Sequence, residues 1–100
     1  KKSFGLSPED MLDIAKKVYD DIEEIELVGV VTNICVISNA VTFQSQFVNA
    51  EIIVDASLTA GFDEEMHKKS LEVMESFQVK VIIGRFSHGN YLWLFFIQIC

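Results

Sequence analysis

Apolar positions along the chain fall into two regimes, short continuous runs and longer stretches at helical spacing. Met11, Ala15, Val18 and Ile22 recur every three or four residues, with Leu12, Ile14 and Tyr19 beside them. That spacing predicts an amphipathic helix of about four turns. Ser7-Pro8-Glu9-Asp10 supplies its start. Ser7 can cap, Pro8 suits the first helical position, and Asp10 completes a variant of the capping box. The acidic cluster Asp20, Asp21, Glu23 and Glu24 marks the solvated end, where negative charge opposes the helix dipole. Residues 25–31 are almost continuously apolar, the pattern of a strand covered on both faces. Residues 34–47 follow as a helix that is apolar nearly all round, with only small polar residues such as Ser38, Asn39 and Thr42. Residues 51–55 read as a second strand and 56–62 as a loop turned by Gly61. Asp63 caps a third helix with Met66, Ser70, Val73, Met74 and Phe77 on its inner face. Glu64 with Lys68 and Glu65 with Lys69 pair on its outside. Residues 79–83 form a third strand.

The order is α-β-α-β-α-β with short connections. It predicts an α/β fold: a parallel sheet with right-handed crossovers and helices on both faces, a three-layer α-β-α arrangement of Rossmann-like topology. Three strands leave one side of such a sheet open, so further strands are expected upstream or from a partner. Residues 1–83 make up this domain part. Residues 84–100 differ in kind: a Gly- and Asn-containing loop, then an aromatic and apolar run over 91–99. That run is too short to cross a membrane. It reads as an added strand or as a sticky segment foreign to the fold.

Composition narrows the function. The chain has 100 residues, a net charge of -7 and a pI of about 4.6. An acidic chain of one domain lacks the positive surface that nucleic acids or anionic membranes require. Its two cysteines, Cys35 and Cys100, are too few and too far apart for a disulfide framework, which points to free thiols in a reducing, cytoplasmic compartment. No signal peptide is visible. The chain does not begin with Met, and a piece of a longer protein is expected.

The chemistry concentrates at Cys35, where a buried strand gives way to a helix. In open α/β sheets, sites form at the carboxyl ends of strands, where helix N-termini direct free N–H groups. Such an end favours a thiolate and can stabilise an oxyanion. Gly29 allows close backbone approach. A buried structural cysteine is an equally good account of position alone, since cysteine is among the most buried residue types.

The run GVVTNICVISNA, residues 29–40, resembles the nucleophile motif of the isochorismatase-like cysteine hydrolases, which include nicotinamidases. These carry Gly-Val-x-Thr-Asp/Asn-x-Cys-Val at this junction. VDASLTAGFDEEMHKKSLEVM, residues 54–74, is similar to the strand, loop and helix that follow in that family. KKSFG at the front resembles its Lys-x-x-Phe-Gly/Ser segment. The resemblance spans residues 1–82 and implies an Asp-Lys-Cys triad on a six-stranded parallel fold. Cys35 is then the nucleophile that forms a thioester from a small amide, and Lys1 the lysine that steadies the thiolate. It also implies a non-proline cis peptide at Val30–Val31, aiming the Val31 N–H with that of Cys35 into an oxyanion hole. The family's aspartate, and the metal ligands of the nicotinamidase branch, belong upstream of Lys1. The chain thus corresponds to the C-terminal half of such an enzyme, inactive alone. No cofactor or metal is expected from its own residues, and a homo-oligomer is expected.

The remaining polar residues have plainer roles. His67 is placed on the solvated outer face of the third helix. His88 has no second ligand at metal spacing. Asn33 and Thr32 are expected to make local hydrogen bonds around the turn, Asn33 with a substrate role as the alternative. Asp55 is expected to cap the loop after its strand rather than face the site. Thr59 and Phe62 are expected to border a substrate pocket. A non-catalytic α/β module with an inert Cys35 is the competing account of the whole chain.

Overall fold

The computed structural model of the chain describes residues 5–18, 22–84 and 93–99. Helix α1 runs Pro8–Val18, and Ile22, which the apolar spacing puts on its inner face, is not helical. Ser7 Oγ accepts the Asp10 N–H at 3.1 Å, so the cap is as expected. Met11 and Ala15 are buried against the core, whereas Leu12 is 46% exposed.

Strand β1 is Glu24–Val30. Glu24 and Glu26 are themselves buried, so Glu24 belongs to the sheet rather than to the acidic end of α1. A single turn of π-helix, Thr32–Val36, replaces the expected first α-turn, and α2 follows as Ile37–Gln46. The hydroxyls of Ser38, Thr42 and Ser45 donate to the carbonyls of Ile34, Ser38 and Val41, one turn back. That is how small polar residues stay satisfied on a helix packed against a sheet. Asn39 is buried, and its Oδ1 accepts the Leu6 N–H at 2.9 Å, fixing the chain's approach to α1.

Strand β2 covers Glu51–Ala60, five residues beyond the predicted end. It pairs in parallel with β1 from Glu24–Glu51 to Leu27–Val54. After a bulge, pairing resumes at Gly29–Thr59 and Val30–Ala60. Residues 55–58 have no partner on β1 opposite Val28, although Asp55 still pairs with Ile82 of β3, so the turn-like sequence there marks a bulge inside a strand. Gly29 has φ 114°, a backbone conformation that glycine adopts without penalty. Helix α3 is Glu64–Ser76, with Asp63 accepting the Glu65 N–H at 2.9 Å. Of the two outward ion pairs predicted, Glu65–Lys69 closes at 3.0 Å. Strand β3, Lys80–Ile82, pairs in parallel with β2.

Residues Trp93–Ile99 form β4, parallel to β1 along its whole length. The sheet order is β3-β2-β1-β4. The side expected to stand open is thus occupied by the apolar tail, acting as an added strand. Between the helices and the sheet, Phe43, Phe47, Ile25, Leu27, Ile52, Val54 and Met74 form the core. The Phe43 and Phe47 rings stack with centroids 5.7 Å apart.

Candidate active site

The carboxyl ends of β1 and β2 meet beside the π-turn. The Val30–Val31 peptide bond is cis, as the resemblance implies. The Val31 carbonyl accepts the N–H groups of Ile34 and Val36 at 3.0 and 3.1 Å. The N–H of Ile37 is shared between the carbonyls of Thr32 and Ile34. These bonds set the wide turn that carries Cys35. Such turns are rare and recur at functional sites.

Cys35 is completely buried. Its sulfur is disulfide-bonded, and among the described residues there is no free cysteine. The expectation of free thiols is therefore corrected, and the argument from cysteine spacing to a reducing compartment loses its support. The chain's other cysteine, Cys100, lies outside the described residues, as do Lys1 and His88.

A cavity of about 270 Å³ opens beside the turn, lined by Val30, Val31, Ala60, Gly61 and Phe62. Phe62 is 95% exposed at its rim. The pocket role expected of Phe62 fits this placement. Thr59 is instead buried, its hydroxyl 3.4 Å from the Ala56 carbonyl. Gly61 lies at close approach: a Cβ there would stand 3.1 Å from Asn33 Oδ1 and 3.4 Å from a Val31 methyl, so the Asn33 side chain would have to give by a few tenths of an ångström. The β2–α3 loop thus presses directly on the turn, and Asn33 faces that loop.

Asp55 does not face the cavity. Its carboxylate accepts the Ser57 N–H and hydroxyl at 2.9 and 2.6 Å, and the Gly84 N–H at 3.0 and 3.1 Å. Burial pushes its pKa up. The hydrogen bonds from the Ser57 side chain, from Gly84, and from the backbone of Ser57 and Leu58 outweigh burial and hold the carboxyl below its ordinary value of 3.8. Asp55 clasps the bulge to the end of β3, the capping role expected of it.

His67 departs from expectation. It is half-buried, and its Nδ1 lies 2.7 Å from Oγ1 of the fully buried Thr32. The buried stripe of α3 runs through His67, Ser70, Leu71, Met74 and Phe77, whereas Met66 and Val73 are 41% and 50% exposed. The apolar Met66 and Val73 predict an inner face one residue out of phase with this stripe. The stripe 67-70-71-74 has helical spacing of its own and was the available signal. Among the described residues, no three His, Cys, Asp or Glu side chains are grouped so as to hold a metal ion. No helix of the described residues is long and apolar enough to cross a membrane.

Solved structures share this architecture. An isochorismatase-like hydrolase from Alkaliphilus metalliredigens superposes with a TM-score of 0.66 and 30% identity, over 83% of this chain and 44% of that one. The chain has the isochorismatase-like hydrolase fold. The pyrazinamidase of Pyrococcus horikoshii, solved in complex with zinc, superposes on it at a TM-score of 0.70 with 20% identity, over 84% of this chain and 45% of that one. The nicotinamidase of Bacillus subtilis does so at 0.67 with 24% identity, over 82% and 44%. The chain therefore spans less than half the length of these isochorismatase-like structures. No family model and no curated protein matches it.

Proposed function

We propose that the chain carries the nucleophile of an isochorismatase-like cysteine hydrolase acting on a small amide. The observation that carries this reading is the placement of Cys35. It sits in a π-turn directly after the cis Val30–Val31 bond, at the carboxyl end of a central parallel strand, and the two valines of that bond, though not Cys35 itself, line an apolar cavity. In the reduced protein, the Cys35 thiolate attacks the amide carbonyl carbon, and the carbonyl electron pair moves onto oxygen. The backbone N–H groups of Val31 and Cys35 stabilise that oxyanion. Collapse breaks the C–N bond, and the protonated nitrogen leaves as ammonia. Water then attacks the resulting thioester, releasing the acid and restoring the thiol. Lys1 steadies the thiolate electrostatically. The proton shuttle is the aspartate that the resemblance puts upstream of Lys1. The apolar cavity suits a small, largely apolar acyl group, for which nicotinamide is the representative substrate.

The test uses the longer protein that the resemblance implies, kept under dithiothreitol. Ammonia release from nicotinamide should vanish in Cys35→Ala, and retained release would sink the nucleophile assignment. One observation favours a second reading. The disulfide at Cys35 suits a non-catalytic α/β module in which this cysteine is a structural cross-link. Reduced protein carrying Cys100→Ser separates the two. A depressed thiol pKa gives alkylation by iodoacetamide well below pH 8, which an inert buried thiol does not.

A further inference from the structure

We propose that His67 is a positioning residue that holds the Cys35 turn in its π form through Thr32; this rests on the nucleophile reading above. Thr32 opens the turn. It is fully buried, so its hydroxyl needs a partner inside the protein. His67 Nδ1, 35 residues away on another helix, stands 2.7 Å from that hydroxyl. The Thr32 carbonyl is in turn an acceptor for the Ile37 N–H that closes the turn. The side chain of Thr32 is thus tied to α3 while its backbone is tied to α2, and Cys35 lies between those two ties.

The His67 N–H backbone bond to the Asp63 carbonyl, 3.0 Å, places His67 in the first turn of α3. That turn follows directly on the Gly61–Phe62 wall of the cavity. The same short segment therefore shapes the pocket and holds the nucleophile's turn. The sequence predicts an α-helix from Ile34 onward, and the wide turn Thr32–Val36 is one residue out of α-helical register. Releasing the Thr32 hydroxyl removes a contact that distinguishes the two windings. A rewound turn moves the Cys35 sulfur and N–H relative to the cavity, and displacements of about 1 Å cost reaction rate on the order of a hundredfold.

The assay is ammonia release from nicotinamide by the reduced longer protein, paired with iodoacetamide alkylation of Cys35 in the Cys100→Ser background. His67→Ala is expected to lower kcat about 10- to 100-fold with little change in KM, and to slow alkylation in parallel. His67→Asn puts a polar atom where Nδ1 stands and should recover most of both losses. His67→Phe fills the space without the hydrogen bond and should not. Thr32→Val should reproduce the His67→Ala loss, and the double variant should be no worse than either single one, because both remove one interaction. Equal rates in His67→Phe and His67→Asn, or multiplicative losses in the double variant, overturn the proposal. If His67→Ala does not fold, the Asn, Phe and Thr32→Val comparisons decide it. Failure of the underlying reading looks different: Cys35→Ala then keeps its activity, or Cys35 in the unsubstituted turn does not alkylate.

Discussion

Single side chains show how this fold uses buried polarity. Asp55 is 1% exposed, yet it stays ionised because four donors converge on it. Its folded pKa lies below the unfolded value, so the unfolded chain binds more protons across that interval and stability rises with pH there. The contribution is complete above about 3.8 and is lost as pH falls through the folded value. Asp55→Asn should cost about 1.5–3 kcal/mol at neutral pH, the range for hydrogen bonds to a charged group. It should also flatten the acid side of the stability profile. Urea unfolding at several pH values measures both, and an unchanged profile would argue against the clasp. Cys35 and His67 are the same lesson at the site. Cys35 was visible in its motif, but His67 acquires meaning only from a threonine hydroxyl 35 residues away.

At the scale of elements, α3 is the instructive case. Its start was legible, since Asp63 caps as predicted. Its rotation was not. Met66 and Val73 are apolar and exposed, while Ser70 and His67 face inward. Helix phase is decided by the surface it packs on, and here that surface includes a polar turn. The helix ends with the Val79 N–H on the Met74 carbonyl and the Gln78 N–H on the Glu75 carbonyl, both at 3.1 Å. This is the Schellman arrangement. Gln78 takes the left-handed position at φ 75°, which glycine fills without a Cβ penalty of about 1 kcal/mol. Gln78→Gly should therefore stabilise the protein by roughly 1 kcal/mol. The midpoint of chemical denaturation should rise with no change in slope; a lower midpoint would refute the assignment.

For the whole molecule, stability rests on one layer of packing between the helices and the sheet. Phe43 is fully buried at its centre, stacked on Phe47. Phe43→Ala should cost about 3–5 kcal/mol. A domain of this size has only about 5–15 kcal/mol in total, so the variant should be close to unfolding at ambient temperature. Circular dichroism during urea titration gives the value, and a loss under about 1 kcal/mol would place the core elsewhere.

The sequence alone determined the alternation of helix and strand, two helix caps, the parallel α/β class and the junction at Cys35. Each is written in local spacing or in a motif a few residues long, where period, cap chemistry and motif spacing act within one or two turns of chain. The tertiary structure decided the rest: the continuation of β2 beyond a bulge, the docking of β4 on β1, the disulfide at Cys35 and the inward turn of His67. The strand pairings and the His67 contact depend on partners tens of residues distant. A loop-like run such as residues 56–62 reads the same whether or not a neighbouring strand resumes pairing within it. A histidine reads as solvated until the fold brings a buried hydroxyl to its ring.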